Sequence, residues 1–264
     1  MTQPVDFALH SRAKRIGRWA VWLFTIMVVV WSMRSVKIIP EFLYDAPAQS
    51  VDLFRRMWPP AWEYFPAKVL DAMLETIHIA TLGTLLGLIF SIPLAFVAAK
   101  NFTRSPVLNW LAQFLFISSR SVNSLIWALL FVAIFGPGAL AGVLAIAFRS
   151  VGFIGRLFGE ALEEAHRGPI EAMTAMGARR PVILAKGYWP QVEPAFWSVA
   201  VLRWDINIRE SAVLGLVGAG GIGLELNASM DNLYWDQVGV ILFTILVVVM
   251  ITEFIAATIR RRII

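Results

Sequence analysis

Nine consecutive residues, Arg203-Trp204-Asp205-Ile206-Asn207-Ile208-Arg209-Glu210-Ser211, set two guanidinium groups, two carboxylates and an amide into otherwise apolar sequence. At helical spacing Arg203, Asn207 and Glu210 share one face (i, i+4, i+7), while Asp205 and Arg209 form an opposite-charge i, i+4 pair on another. Arg120, followed by Asn123, and Arg149 fall in two further apolar runs. The guanidinium is a planar fork of donors suited to bidentate contact with phosphate-like or carboxylate oxygens. Pairing with Asp205 and Glu210, to lock a helix bundle, is the plainer use of the same groups. Four arginines against two acids exceed what a lock requires, which favours a polar pathway for an anion.

Other chemistries are excluded or weakened by the residues present. The chain has no cysteine, which removes disulfides, thiol nucleophiles and Cys-based metal sites. His10, His78 and His166 are too scattered in sequence for a His-rich metal centre. No metal site and no cofactor is expected. Gly218-Ala219-Gly220-Gly221-Ile222-Gly223 matches the dinucleotide fingerprint, and Asp236 stands where its ribose-binding acid would be. That motif needs a strand, a turn and a helix in a βαβ unit. Here apolar, span-like sequence lies on both sides, so Gly218, Gly220, Gly221 and Gly223 are read as a flexible, close-packing bend at the outer mouth of the pathway.

The elements that must hold these groups follow from composition. Of 264 residues, 58% are hydrophobic and 16% charged, against about 45–50% and about 25% in a soluble domain. One water-facing globule cannot hide that much apolar surface. Six stretches approach the roughly 20 apolar residues needed to cross about 30 Å of hydrocarbon. They are about 19–33, 72–99, 107–135, 139–158, 192–217 and 238–259. The expected fold is an all-α integral membrane protein with six transmembrane helices. Residues 1–70 carry an N-terminal tail, the first helix and an external segment, and 71–264 form the main membrane domain. Counted at about 1.5 Å per residue from their helix starts, Arg120, Arg149 and Arg203 reach about 17–21 Å, near mid-membrane. Gly83-x-x-x-Gly87 suits close helix packing, within or between protomers.

Arg34 follows the first stretch without a small-x-small cleavage site, which predicts an uncleaved anchor. Orientation follows from Lys and Arg outside the apolar cores. With the N-terminus inside, fourteen basic residues are cytoplasmic (Arg12, Lys14, Arg15, Arg18, Lys100, Arg104, Arg156, Arg167, Arg179, Arg180, Lys186, Arg260, Arg261 and Arg262). Five (Arg34, Lys37, Arg55, Arg56 and Lys68) are external. Both termini are therefore placed in the cytoplasm. The net charge of +5 is explained by topology, not by nucleic-acid binding.

The long cytoplasmic segment 160–190 mixes charge with Ala, Leu and Met. Gly177 separates two helix-forming stretches, and Pro181 suits the first turn of the second. Glu171-Ala172-Met173, Gly177 and Trp189-Pro190 resemble the signature of permease subunits of ABC-type importers. Met173, Gly187 and Trp189 depart from it, while Glu171, Ala172, Gly177 and Pro190 hold. The resemblance implies two short coupling helices that dock on a cytoplasmic ATPase subunit.

The stretch 203–223 is similar to the most characteristic sequence of phosphonate-type ABC permeases. Residues 118–127 and 149–153 resemble companion stretches, although Ser121-Val122 stands where the family has Ile-Pro. The resemblance covers about residues 70–264. It implies the type I importer fold and a homodimer of multi-pass subunits in the bacterial inner membrane, with two ATPase subunits and a periplasmic binding protein. Its substrates would be phosphonate, phosphite or a related phosphorus oxyanion, with ATP hydrolysed by the partners and not by this chain. On that reading Arg120, Asn123, Arg149, Arg203, Asp205, Asn207, Arg209 and Glu210 lie along the substrate pathway. A permease for another small solute, with structural arginines, is the nearest alternative. A membrane enzyme lacks a catalytic constellation here, and a passive channel has no need of the coupling segment.

Overall fold

The computed structural model describes residues 12–36, 40–103 and 105–263, with the side chains of residues 12–16 and Pro40 outside that description. His10, Lys37 and Arg104, named above, fall outside it too. The chain divides into two compact units, Met1–Phe54 and Arg55–Ile264. The first holds α1 (Arg12–Ser35) and most of α2 (Pro40–Arg56). α2 begins with Pro40 and Glu41 and ends on Arg55 and Arg56, an order of charges that complements the helix dipole.

The second unit is built on α3 (Leu70–Ala98), preceded by a π turn, followed by α4 (Pro106–Ser121), α5 (Ser124–Phe135) and α6 (Ala139–Glu164). Two short helices, α7 (Arg167–Ala175) and α8 (Arg180–Ile183), lead to α9 (Trp189–Leu214), α10 (Ile222–Asp231) and α11 (Trp235–Ile263). α6 is central and packs on α3, α4, α5 and α9. Small residues permit this. A Cβ on Gly87 would lie 2.5 Å from Ser150 Cβ, and one on Gly83 2.6 Å from Ile146 Cγ2. Gly83 and Gly87 thus seat α3 against α6 within one protomer.

Among the described residues, three helices are long and apolar enough to cross a membrane, or up to five if each of two bent pairs is one span. The sixth expected span, α1, is not among these five; its apolar run between Arg18 and Arg34 is residues 19–33. The expected third span is not continuous either. α4 and α5 meet at 95°, because Val122 is extended and the Asn123 side chain caps α5 by accepting from Leu125 N–H. The fourth span runs beyond residue 158 to Glu164. α8 passes through a second π turn into α9, so the connection between the two long helices narrows from 160–190 to residues 165–179.

Candidate functional site

Glu210 is the hub of the charged cluster. Its Oε1 accepts from Arg149 Nη1 at 2.6 Å, and its Oε2 lies 3.4 Å from Arg203 Nη2. Arg149 Nη1 also donates to Ser124 Oγ at the start of α5, 3.2 Å away. Arg203, 2% exposed, donates through Nε to Ser150 Oγ on α6 at 3.1 Å. Asn207 Nδ2 donates to the same hydroxyl at 3.0 Å and to Thr84 Oγ1 on α3 at 2.7 Å. The face shared by Arg203, Asn207 and Glu210 is therefore the one that α9 turns to α3 and α6.

The second pair is local to α9. Arg209 Nη2 lies 2.7 Å from Asp205 Oδ2. Asp205 is buried, yet its Oδ1 has no partner among the described residues, nor does Asn207 Oδ1. Buried acceptors left open in this way cost free energy.

Arg120, at the last turn of α4, reaches the cluster through an aromatic ring. Its guanidinium carbon is 5.8 Å from the Phe153 ring centroid, and that of Arg203 is 5.3 Å from the same ring. Both are within cation–π range. Asn123 is exposed and caps α5, and its Oδ1 also accepts from Ser124 Oγ at 3.2 Å, the hydroxyl that receives Arg149. Two guanidinium groups thus contact one carboxylate, and a third, that of Arg120, shares the Phe153 ring with one of them, leaving a local excess of positive charge.

The glycine bend is packed, not loose. Gly218 (φ +87°) closes a short 3-10 turn after α9, and its carbonyl accepts from Gly138 N–H at 2.8 Å. Gly220 and Gly221 also have positive φ, and a Cβ on Gly220 would lie 2.9 Å from Ala139 Cα. Gly223 is buried against Gly215, its own Cβ position 2.7 Å from Gly215 Cα. Thr76 Oγ1 accepts from Ile222 N–H at 2.8 Å, pinning the N-terminus of α10 to α3. Such contacts pack the bend closely against α3 and the start of α6. Among the described residues there is no strand, so the dinucleotide motif has no sheet to sit on.

At the other end, α7 carries Glu171 and Ala172 on an exposed surface, and Gly177 (φ +72°) turns the chain into α8 with Pro181 at its start. The inner face of α7 rests on the second π turn: Met173 and Ile170 approach the place where a Gly187 Cβ would be, at 3.4 and 3.7 Å. A Cβ at 187 would make ordinary van der Waals contact with both. Gln191 ties the segment down. It accepts from His166 N–H at 2.8 Å and donates to the Gly187 carbonyl at 2.6 Å. Pro190 is in the first turn of α9, where its missing N–H is tolerated.

With this geometry in place, relatives identify the architecture. The family described as binding-protein-dependent transport system inner membrane component matches residues 91–264. The chain belongs to this family. As an inner-membrane component it is a subunit of a transport system, working with a solute-binding protein. It is 40% identical over 248 residues to the phosphite transport system permease protein PtxC of Stutzerimonas stutzeri, covering 94% of this chain and 89% of that protein. It is also 39% identical over 227 residues to the phosphate-import permease protein PhnE of Mycolicibacterium smegmatis, covering 86% of this chain and 42% of that one. Among solved structures, an inward-facing form of the MetNI methionine ABC transporter aligns with a TM-score of 0.64 at 22% identity, covering 76% of this chain and 99% of that one. That likeness shows a shared fold.

Several members of the site escaped sequence reading. Ser124, Ser150 and Thr84 hold the arginines and Asn207, Phe153 carries two guanidinium groups, and Gln191 braces the segment around α7. One signal was available: Thr76, Thr84 and Ser91 recur every seven or eight residues in the second apolar run, the spacing of one helix face.

Proposed function

We propose that this permease carries phosphite, phosphonate or a related phosphorus oxyanion inward, as one of two identical membrane subunits of an ABC importer. The observation that carries this reading is the excess of guanidinium over carboxylate at Glu210, reinforced by the names of its relatives. Arg120, Arg149 and Arg203 offer positive potential and donors to an anion crossing a region of low dielectric. Glu210 holds two of them in place and keeps the resting cluster from being a bare triple cation. Asn207 and Ser150 orient Arg203.

ATP hydrolysis belongs to partner subunits, which dock on the exposed surface of Glu171, Ala172 and the Gly177 turn, with Pro190 starting the helix behind it. Closure of the ATPase pair moves α7 and α8, and α8 is continuous with α9, the helix that carries Arg203 and Glu210. The packed glycine bend at 218–223 then transmits the tilt of α9 to α10 at the outer mouth. A second reading, in which the arginines only lock the bundle of a permease for another solute, draws on the Arg203–Glu210 and Arg209–Asp205 pairs. The number of guanidinium groups weighs against it.

The test is uptake into proteoliposomes holding the permease, its ATPase and its binding protein. Phosphite or methylphosphonate should be accumulated with ATP, and methionine should not; the reverse would sink the oxyanion reading. Orientation is checked separately: a reporter after Arg262 should be cytoplasmic and one near Pro59 periplasmic.

A further inference from the structure

One face of α6 carries Arg149, Phe153, Arg156 and Glu160 at i, i+4, i+7 and i+11. Arg149 belongs to the Glu210 cluster, and Arg156 lies two turns further on, about 10 Å along the helix toward the coupling segment. Arg156 lines an open cleft together with Arg120, Ile117 and Ser121. It also lines a neighbouring cavity with Lys100, Gln113, Glu160 and Glu163. Arg156 is thus the side chain shared by both spaces.

The two arginines of the cleft are differently occupied. Arg120 makes no ion pair among the described residues and rests on Phe153. Arg156 Nε donates to Glu160 Oε1 at 2.8 Å, with the side chains 47% and 46% exposed. An ion pair so open to water is weak and exchangeable. A phosphorus oxyanion offers more oxygens and as much charge as Glu160 and can take its place.

Resting on the oxyanion reading, we propose that Arg120 and Arg156 form a second anion station, between the Glu210 cluster and the coupling segment. Arg120 serves both stations across Phe153. An oxyanion leaving Arg203 passes the ring, is received by Arg120 and Arg156, and displaces Glu160. Return of Glu160 to Arg156 then expels the anion toward Lys100 and the cavity mouth. Glu160 is in this sense a tethered competitor that keeps the station from trapping its cargo.

Because the chain has no cysteine, a single Ser121→Cys substitution gives a probe in the cleft that is unique within this subunit, where its labelling is read. In the assembled complex, the anionic methanethiosulfonate should label this thiol about tenfold faster, relative to the cationic one, than it labels a simple thiol in solution. Arg120→Gln or Arg156→Gln should each reduce that ratio several-fold, and Glu160→Gln should raise it. Millimolar phosphite should slow labelling in the parent and not in Arg156→Gln. In proteoliposomes, Arg156→Gln should lower phosphite uptake about tenfold while ATP hydrolysis stimulated by the binding protein persists, and Arg156→Lys should restore part of the uptake. A labelling ratio indifferent to Arg120 and Arg156 would overturn the station. Absence of oxyanion uptake by the unaltered complex would instead overturn the transport reading on which it rests.

Discussion

Arg149 on α6 and Glu210 on α9 meet at 2.6 Å, and Glu210 reaches Arg203, one of its own helix's residues, with its other oxygen. The pair joins two long helices, and both Glu210 oxygens are engaged by arginine. Neither arginine is saturated by it. A guanidinium has five donors, and Arg149 spends one nitrogen on Glu210 and Ser124 together. Donors therefore remain for a passing anion without breaking the contact that holds α6 to α9.

Replacing Glu210 with Gln should leave two guanidinium groups facing each other with no counter-charge. Breaking a buried pair in this way costs about 3–5 kcal/mol in soluble proteins, and the half-open setting of Arg149 places the expected loss at the lower end. A detergent-solubilised Glu210→Gln permease should melt several degrees lower. Adding Arg149→Gln should recover part of the loss. A melting point unchanged by Glu210→Gln would show that the cluster is hydrated and not a bundle contact.

Gly152 is where α4 crosses α6. A Cβ there would overlap Ser119 Oγ and lie 2.7 Å from the Phe116 carbonyl oxygen. The hydroxyl can be removed, but the backbone oxygen cannot. Gly152→Ala should destabilise by about 1–3 kcal/mol, the usual cost of overpacking, and shift Arg120 away from Phe153. Gly152→Ala with Ser119→Ala should regain part of the stability but not all. Full recovery would mean that α4 is free to move outward.

Charge and hydropathy made the membrane class and the long helices legible, because burying apolar side chains in lipid leaves a continuous run in the sequence. The pairing of Arg203 with Glu210 and of Asp205 with Arg209 was also legible, since both are set by helical spacing. The break after Arg120 was not. It depends on one extended residue, Val122, and one side-chain cap, Asn123, inside an apolar run whose hydropathy does not change. The supporting hydroxyls of Ser150 and Thr84 were hidden for another reason. Small polar residues are common in membrane helices, and only the tertiary crossing of α3, α6 and α9 selects these two.

Gly177 has φ +72° and open space around its Cβ position, so substitutions there act through the backbone and not through a clash. Gly177→Val should distort the turn, since a β-branched residue at positive φ is strained by about 1–2 kcal/mol. Gly177→Asn should be tolerated. Copurification of the ATPase subunit should fall with Val and persist with Asn, while assembly of the membrane subunits is unchanged in both. Equal retention by the two variants would remove the α7–α8 turn from the docking surface.

The last prediction separates a pathway from a lock at Arg203. An arginine that serves the anion lowers its barrier at mid-membrane, and removing it should slow uptake without dispersing the subunits. A lost charged hydrogen bond of about 1.5–3 kcal/mol corresponds to a roughly ten- to over a hundredfold slower rate. Arg203→Gln should show that loss whether or not Glu210 is present. An arginine that only neutralises Glu210 behaves differently, because removing both charges together restores balance. Glu210 keeps Arg149 as a partner after Arg203→Gln, so the single variant should still assemble, which makes the comparison possible. Uptake by the double variant Arg203→Gln with Glu210→Gln should remain at or below that of Arg203→Gln alone. Recovery to the parental rate would make Arg203 a brace between α9 and α6, with no part in moving the anion.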